Sequence, residues 1–402
     1  MHAEDDNRPV LEGLTVLDTS RVLAGPYCTM ILSDLGATVL KVERPHQGDE
    51  TRAWGPPYLG DPSLGMSAYF LSVNRGKRSL CLDLKTRKGR EVFLDLVRQS
   101  DIFVENFAPG VADRLGLDDS TVAAANPRLI HCSITAFGDQ SGPGYDLVIQ
   151  GMSGLMSVTG ESTGPPLKVG VAITDVIAGW QAVSAILAAV MTRQRTGCGE
   201  RISIGLLNSA VTALVNIGQD YLIQGVSPQR WGNAHPHIVP YQVFKTKDGH
   251  LTVAAGNNEH FGRLCQVVGR SEWATDSRFA TNSKRVTNRK LLISQLETLF
   301  AEKTVDQWLA VLRKAEIPCG PVADLAALFD GRESPPGVEM LELETSSGTT
   351  YRTVGRPLKR SGTMSQPKGA PLVGEHTDEI LREMLNLDDQ QLATLRKKSV
   401  IE

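Results

Sequence analysis

Short apolar segments alternate with helical patterns over the first third of the chain, and this alternation limits the possible folds more than any other feature. Five segments have the length and composition of strands: 14–18, 37–43, 79–84, 102–105 and 128–134. Helical patterns at 26–35 and 86–100 stand between them. This order predicts an α/β fold with a doubly wound, mostly parallel, Rossmann-like sheet that binds ligands at the carboxyl ends of its strands. Because the chain has no Gly-x-Gly-x-x-Gly motif, the pattern does not support a conventional dinucleotide site.

The chain changes character after residue 225, where the parallel pattern gives way to a predicted hairpin and several helices. A strand at 201–204 and one long helix at 205–225 are predicted to end the first part. Strands 241–246 and 250–255 form the predicted hairpin, with a Lys-Asp-Gly turn between them. Helical patterns follow at 260–268, 289–302 and 305–315. The predicted domains are therefore a large domain (1–225), a small α+β domain (226–330) and a return to the large domain (331–402).

Composition excludes some classes of protein and partner. The chain has 402 residues, of which 41% are hydrophobic and 22% charged, and its net charge of −3 gives no sign of nucleic acid or a membrane surface as a partner. Its six cysteines are scattered without Cys-x-x-Cys pairs, which is typical of reduced thiols inside the cell. The acidic segment 1–6 is unlike an Arg-rich transit peptide. We expect an intracellular protein, in the mitochondrial matrix if a targeting peptide has been removed and otherwise in the cytoplasm.

One carboxylate, Asp175, stands alone between two apolar runs. A connector rich in glycine and proline precedes it, and the following segment 176–191 reads as a buried helix that is apolar nearly all round. Asp175 is therefore predicted to occupy the N-cap, where the helix dipole would lower its pKa and keep it ionised. Capping statistics favour a plain helix cap. A cap on so apolar a helix would be buried, however, and the nearby glycines would let a ligand approach, which leaves a nucleophile as the alternative.

The run that contains Gly164, Pro165, Pro166, Gly170 and Asp175 resembles the active-site region of the class III CoA-transferases. That family includes formyl-CoA transferase and carnitine CoA-transferase, and the resemblance extends over nearly the whole chain. In the family, the aspartate of this run carries first an acyl group and then CoA covalently. The resemblance therefore implies that Asp175 is the catalytic nucleophile. It also implies a homodimer in which two chains are threaded through each other as interlocked rings.

The same resemblance implies a CoA groove. The candidate CoA-binding residues are Leu23, Ala24, Arg44, Leu82, Lys85, Asn106, Phe107, Arg114 and Tyr145. Arginine and lysine side chains in such a groove would hold the phosphates, and Phe107 would stack near the adenine or the pantetheine. Leu23 stands where formyl-CoA transferase has a glutamine that contacts the acyl group. Most of the other basic residues near strand ends are expected to form a solvated rim: Arg21, Lys41, Lys77 and Arg78.

A loop at 231–240 carries His235 and His237. Their spacing is a weak metal signal because no third ligand lies nearby in the sequence, so we expect no metal. The loop resembles the corresponding segment of succinate–hydroxymethylglutarate CoA-transferase within the family. By that resemblance, Arg230, His235 and His237 are candidates to bind the far carboxylate of a dicarboxylic acid.

These resemblances imply an enzyme that transfers CoA from an acyl-CoA donor, with succinyl-CoA expected, to a dicarboxylic acid such as glutarate or hydroxymethylglutarate. Aspartyl anhydride and aspartyl-CoA thioester intermediates would carry the exchange, with coenzyme A as a substrate and no cofactor. Two alternatives remain open. The related 2-methylacyl-CoA racemases have a catalytic histidine where this chain has Tyr145, and a phenol with a pKa near ~10 is a poor base at neutral pH. The other alternative is a non-catalytic CoA-binding protein.

Overall fold

The computed structural model describes residues 8–140, 142–330, 337–358 and 362–402. The acidic segment 1–6 and the predicted domain boundary at residue 331 lie outside the described residues. The chain forms two compact units. The first comprises the chain up to Leu155 together with Val169–Ile223 and Val338–Glu402, and the second comprises Met156–Lys168 and Gln224–Gly337.

A parallel sheet forms the centre of the first unit. Within the described ranges its strands are β1 (Thr15–Asp18), β2 (Thr38–Glu43), β3 (Arg78–Cys81), β4 (Ile102–Glu105), β5 (Ile130–Thr135) and β6 (Arg201–Gly205). All neighbouring strands pair in parallel, in the order β3-β2-β1-β4-β5-β6. The winding reverses between β1 and β4, and open α/β sheets bind ligands outside the carboxyl ends of the strands at such a point. The predicted doubly wound α/β class is confirmed.

Helices connect these strands. In the part of the chain that the structure describes they are α1 (Ala24–Asp34), α2 (Ala68–Val73), α3 (Arg87–Arg98), α4 (Val111–Leu115), α5 (Asp119–Ala125), α6 (Asp146–Met152), α7 (Leu155–Val158), α8 (Ile173–Thr196), α9 (Leu206–Thr212) and α10 (Val215–Gln224). Short 3-10 helices occur at Glu50–Ala53 and Pro62–Leu64. The prediction of one long helix over 205–225 is wrong, because the segment forms two helices, α9 and α10, with an interruption between them. At the start of α10, Val215 has a φ of 33°, which is outside the helical range.

The second unit is built on a small antiparallel sheet. Its described strands are β7 (Tyr241–Lys245), β8 (His250–Ala254) and β9 (Cys319–Pro321), in the order β7-β8-β9. Its described helices are α11 (Asn258–Val267), α12 (Asn282–Thr287), α13 (Arg289–Phe300), α14 (Val305–Lys314) and α15 (Leu325–Phe329). Aromatic rings pack together in its core. The ring centre of Phe300 lies 4.6 Å from that of Phe244, with the two rings stacked, and 4.8 Å from that of Trp308, with the two rings tilted. The predicted hairpin is confirmed as β7 and β8.

The last part of the chain returns to the first unit and completes its core. It contains β10 (Met340–Glu344), β11 (Thr350–Val354), α16 (Thr377–Leu385) and α17 (Asp389–Lys397). Helices α1 and α8 cover one face of the large sheet with buried side chains that include Ile31 and Ile186. Helices α3, α16 and α17 cover the other face, where Phe93 and Ile380 are fully buried. Helices therefore cover both faces, as a parallel sheet requires.

Among the described helices, α8 is long and apolar enough to cross a membrane by length and composition. A helix at the centre of a globular core meets the same criteria. Ala178, Ala182, Ile186 and Ala189 of α8 are buried against the rest of the first unit, and this packing accounts for the apolar composition of that face.

Candidate active site

Asp175 lies in the first turn of α8, and Asp146 supplies the cap that the sequence assigned to Asp175. The helix begins at Ile173, two residues before Asp175 and three before the predicted start. Asp146 Oδ1 accepts a hydrogen bond from the backbone amide of Thr174 at 2.9 Å and from its hydroxyl at 2.7 Å. Gln150 Nε2 donates to the other oxygen of Asp146 at 2.7 Å. The N-cap prediction is therefore wrong, and the Asp175 carboxylate is not needed as a helix cap.

The surroundings of Asp175 raise its pKa, contrary to the sequence prediction. Burial is the largest cause and the negative charge of Asp146 is the second; together they raise the pKa of Asp175 from 3.8 to about 7. A backbone hydrogen bond from Ala24 acts in the opposite direction. The helix dipole was predicted to lower the pKa of Asp175. Poor solvation of the site and the nearby carboxylate of Asp146 outweigh that effect and raise the pKa. With a pKa of about 7, the carboxyl group is present in both protonation states near neutral pH.

Gly179 lets α8 pack closely enough on α1 to bring Asp175 to Ala24. It lies four residues after Asp175, and a Cβ added there would lie 3.0 Å from the carbonyl oxygen of Ala24 and 3.0 Å from the ring of Tyr27. These contacts are so tight that a methyl group at this position would require the neighbouring groups to move by a few tenths of an ångström. The first amide of α1 and the Asp175 carboxylate are thus brought together by a close helix crossing.

The turn that follows β1 lies at the point where the winding of the sheet reverses. Asn106, which follows β4, accepts a hydrogen bond from the Arg21 amide at 2.9 Å and donates to the Arg21 carbonyl at 2.7 Å. This reciprocal pair joins the ends of β1 and β4. The predicted site residue Asn106 therefore shapes the turn that leads into α1, and its side-chain amide is occupied by backbone groups.

Asp175 faces a cavity of about 220 Å³ in the first unit. The predicted residues Ala24, Asn106, Phe107 and Tyr145 line it together with Asp175. Other lining groups come from the turn after β1 and from the Gly142–Gly144 segment, and they include Arg21, Val22, Glu50 and Leu206. Tyr145 is 66% exposed, so it stands at the mouth of the cavity and not in its interior. The structure thus brings five sequence-predicted residues to one small cavity.

A second cavity, of about 410 Å³, adjoins the first and shares Arg21, Phe107 and Ala108 with it. The predicted residues Arg44, Leu82, Lys85 and Phe107 line it. Its other polar lining groups include Lys41, His46, Asp49 and Ser399. A long ligand with an anionic end could place that end near Arg44 and Lys85 while its other end reaches Asp175.

Two predicted residues lie outside these linings as the structure describes them. Leu23 is the N-cap residue of α1 and is partly exposed beside the first cavity. Arg114 is an exposed residue of α4, with its guanidinium close to Gly110. The expectation of a solvated rim is wrong for Lys41 and Lys77, which are 1% and 3% exposed because both side chains enter a buried network of carboxylates.

The other candidates belong to the second unit. Arg230 donates to the backbone carbonyls of Glu161 (3.1 Å) and Gly164, so its guanidinium ties down the glycine-rich connector. His235 Nδ1 accepts from the His237 amide at 3.0 Å, and the two rings lie 6.0 Å apart. His235 is half-buried and His237 is exposed. No group of three or more His, Cys, Asp or Glu residues within the described ranges is placed to hold a metal ion.

Three residues at the site had no assigned role in the sequence-based prediction. In the sequence, Asp146 is distinguished only by following the candidate residue Tyr145, and Arg21 is only one of several basic residues near strand ends. Asp49 belongs to none of the sequence motifs or patterns described above. Their roles depend on partners from other elements: Thr174 for Asp146, Asn106 for the Arg21 backbone, and Lys41 for Asp49.

Comparison with known proteins gives consistent matches. The model of a family described as CoA-transferase family III matches residues 11–377. Succinyl-CoA:glutarate CoA-transferase of Mus musculus is 41% identical over 99% of this chain and 91% of the mouse protein. Succinate–glutarate CoA-transferase of Agrobacterium fabrum is 40% identical over 95% of this chain and 98% of its own. A crystal structure of a CAIB/BAIF family protein from Brucella suis superimposes with a TM-score of 0.81 at 41% identity, covering 94% of this chain and 100% of the other.

Proposed function

This chain belongs to CoA-transferase family III and is an enzyme that transfers CoA, and from that premise we propose that it moves CoA from succinyl-CoA to glutarate or a similar dicarboxylic acid. The observation that carries the proposal is the position of Asp175. Its carboxylate faces a small cavity that shares lining residues with a larger one bordered by Arg44 and Lys85. This arrangement can hold the phosphates of CoA in the larger cavity and present its thioester to Asp175 in the smaller one.

The first half of the reaction loads the enzyme. An oxygen of the Asp175 carboxylate attacks the thioester carbonyl of succinyl-CoA, the C–S bond breaks, and a mixed anhydride and CoA thiolate result. The thiolate then attacks the aspartyl carbonyl of the anhydride. Succinate leaves, and CoA remains attached to Asp175 as a thioester. A pKa of about 7 supports this role, because a poorly solvated carboxylate is a better nucleophile than an ordinary one yet is still partly ionised at neutral pH.

The second half returns the enzyme to its starting state. The carboxylate of the acceptor acid attacks the aspartyl-CoA carbonyl, expels the thiolate and forms a new anhydride. Attack of the thiolate on the acceptor's carbonyl then gives the new acyl-CoA and restores the Asp175 carboxylate. Each step exchanges one activated acyl bond, a thioester or an anhydride, for another. The free energy of the succinyl-CoA thioester is therefore retained in the new acyl-CoA and is not lost to hydrolysis.

The start of α1 is suited to stabilise the oxyanions of these steps. The N-cap residue of α1, Leu23, makes no side-chain capping hydrogen bond, and Pro26 has no amide hydrogen. The amides of Ala24 and Gly25 therefore supply the donors at this helix end. Both residues are buried and the Ala24 amide reaches Asp175, and preorganised amides in such a place are a common way to stabilise a developing oxyanion.

Selection of the acceptor falls, in this proposal, to Arg230, His235 and His237 of the second unit. Cationic and imidazole groups can bind the far carboxylate of a dicarboxylic acid. Pocket fit alone distinguishes poorly between acids that differ in length, since one methylene changes discrimination by only ~1–3 kcal/mol. Glutarate, hydroxymethylglutarate and related acids should therefore be compared side by side.

We also propose that two copies of the chain associate as an interlocked homodimer. Helices α6, α8, α9 and α10 of the first unit expose many large apolar side chains, including Leu147, Met152, Met191, Leu222 and Ile223. Large apolar side chains exposed in such number on these helices favour an interface with a partner chain. Light scattering that gives twice the chain mass down to nanomolar concentration would support a tight dimer, whereas a stable monomer would contradict it.

Trapping of the loaded enzyme tests the proposed reaction. The protein is incubated with succinyl-CoA, quenched with hydroxylamine, digested and analysed by mass spectrometry, with Asp175→Ala treated in parallel. We expect a hydroxamate confined to the peptide that contains Asp175, and none in the variant. Glutarate added before the quench should yield glutaryl-CoA and regenerate unmodified enzyme.

Different results would identify the alternatives. Exchange of the α-proton of a 2-methylacyl-CoA with solvent deuterium, without a hydroxamate, would indicate a racemase. CoA binding without a hydroxamate and without deuterium exchange would indicate a non-catalytic CoA-binding protein. The exposed Tyr145 at the mouth of the cavity gives no support to the racemase, which needs a base of suitable pKa there.

A further inference from the structure

The turn between β1 and α1 is held in a conformation that its own sequence does not favour. Val22 has a φ of 70°, in the left-handed region that β-branched residues seldom occupy. Two residues later, Ala24 begins α1 and directs its amide at Asp175. A strained conformation of this kind persists only when the surrounding structure imposes it. The position of the Ala24 amide therefore depends on whatever holds Val22.

A buried ion pair holds the turn on both sides of Arg21. Lys41 Nζ donates to the Ser20 carbonyl at 3.0 Å and to Asp49 Oδ2 at 2.9 Å. Asp49 Oδ1 accepts from the Val22 amide at 3.4 Å. The Lys41 and Asp49 side chains are 1% and 0% exposed, so water cannot replace either contact.

Both groups of the pair are kept charged. Burial lowers the pKa of Lys41, but the carboxylates of Asp49, Asp18 and Glu43 outweigh burial and raise it overall. Burial raises the pKa of Asp49, but Lys41 and Thr51 outweigh it and lower the value to about 2. The other two carboxylates have cations of their own: Lys77 for Asp18 and Arg52 for Glu43. Within the described network, Lys41 is thus the cation that forms the ion pair with Asp49 and donates a hydrogen bond to the turn at Ser20.

We propose that Lys41 is a positioning residue of the transfer reaction, which acts with Asp49 to fix the Ser20–Leu23 turn so that the Ala24 amide meets the Asp175 carboxylate. This role rests on the proposed function of Asp175. Lys41 itself does not touch the reacting carboxylate. Its effect passes through the backbone of Ser20 and Val22 to the first residue of α1.

The matched variants are Lys41→Met and Arg75→Met. Arg75 forms an equally buried ion pair in the same unit, with Asp34 at 2.6 Å and side-chain exposures of 4% and 7%, but it does not contact the turn. Both substitutions remove one buried cation. Asp49→Ala is the second test of the pair, because it removes both the acceptor of the Val22 amide and the carboxylate partner of Lys41, and it is used if Lys41→Met does not fold.

The first measurement does not require enzyme activity. The rate at which a carbodiimide labels the Asp175 peptide is followed against pH by mass spectrometry, since the reagent reacts with the protonated carboxyl. Loss of a hydrogen bond to the charged form raises a pKa, so in Lys41→Met the midpoint should move up by about 0.5 pH units or more, with Arg75→Met unchanged. An unchanged midpoint in folded Lys41→Met, or in Asp49→Ala if the first variant does not fold, would overturn the proposal.

Kinetics provides the second measurement. For Lys41→Met we expect kcat to fall about tenfold or more, because even a small displacement of a reacting group slows the chemical step. KM for succinyl-CoA should stay within about twofold of the wild-type value. Arg75→Met should keep kcat within about twofold per folded molecule. An equal loss in both variants would assign Lys41 a merely structural role. If wild-type enzyme forms no hydroxamate, the proposed function fails, yet the carbodiimide midpoints still decide whether Lys41 positions Ala24.

Discussion

Asp146 Oδ1 accepts hydrogen bonds from both the amide and the hydroxyl of Thr174, at 2.9 Å and 2.7 Å, and Thr174 immediately precedes Asp175. One carboxylate therefore caps α8 from a different helix and places a negative charge near Asp175. The first effect stabilises the helix and leaves Asp175 free of a capping role. The second helps raise the pKa of Asp175. Two substitutions of Asp146 can separate these effects.

We predict that Asp146→Asn lowers the pKa of Asp175 and that Asp146→Ala also weakens α8. The asparagine keeps an acceptor oxygen for Thr174 but removes the charge, so the acid limb of kcat/KM should move to lower pH. Alanine loses the cap as well, and its free energy of unfolding should fall by about 0.5–2 kcal/mol. Urea denaturation and a pH series check the two effects. Equal acid limbs in wild type and Asp146→Asn would contradict the electrostatic role.

The pH dependence of the wild-type reaction should follow the ionisation of Asp175. In the proposed reaction only the ionised form of Asp175 attacks the thioester, and the pKa of Asp175 is about 7. We therefore expect kcat/KM for succinyl-CoA to fall about tenfold per pH unit well below that value and to level off above it. Tyr69 is a second titratable group near Asp175 and Asp146. Burial and the nearby carboxylates raise the pKa of Tyr69 to about 12, so this side chain stays neutral between pH 5 and 8. A rate that is constant from pH 5 to 8 would contradict this prediction.

The raised pKa of Asp175 also has a cost in stability. A carboxyl whose folded pKa lies above its unfolded value of 3.8 favours the folded state fully below pH 3.8, and this contribution is lost as the pH rises through about 7. The rise in the pKa of Asp175 from 3.8 to about 7 corresponds to a loss of at most about 4 kcal/mol in the free energy of unfolding, at ~1.4 kcal/mol per unit of pKa. Asp175→Asn should therefore unfold at a higher temperature than wild type at pH 8, with a smaller difference at pH 5. Calorimetry at both pH values checks this, and a difference that does not grow with pH would contradict it.

The two arginines predicted to line the CoA groove should behave differently. Arg44 lines the 410 Å³ cavity, whereas Arg114 stands on α4 outside its described lining. Loss of a charged hydrogen bond to a phosphate costs roughly 1.5–3 kcal/mol, so Arg44→Gln should raise KM for succinyl-CoA about tenfold or more with little change in kcat. Arg114→Gln should change KM less than about twofold. Steady-state kinetics checks both variants, and a larger effect at Arg114 would place the phosphates elsewhere.

The sequence predicted the sheet better than it predicted the surroundings of Asp175. Strand and helix periodicity located β1 to β6 because each pattern is local. The true start of α8 and the pKa of Asp175 were missed because Asp146, 28 residues before Thr174 in the chain, supplies the cap and the charge. Lys41 was expected in a solvated rim for a similar reason. Nothing near it in sequence shows that Asp49 and the Ser20 carbonyl converge on its side chain.

The close crossing of α1 and α8 makes Gly179 a sensitive position near Asp175, although Gly179 carries no chemistry of its own. In an exposed helix, replacing glycine by alanine stabilises by up to ~1 kcal/mol, and Gly262 of α11, which has open space around it, should show that gain. At Gly179 the same methyl group would lie 3.0 Å from the Ala24 carbonyl oxygen, which is backbone and cannot rotate away. We therefore expect Gly179→Ala to push α8 away from α1 and lower kcat about tenfold or more, since small displacements of reacting groups cost that much. Parallel thermal melts and hydroxamate assays of Gly179→Ala and Gly262→Ala check this. Full activity in Gly179→Ala would mean that Asp175 does not depend on the Ala24 amide.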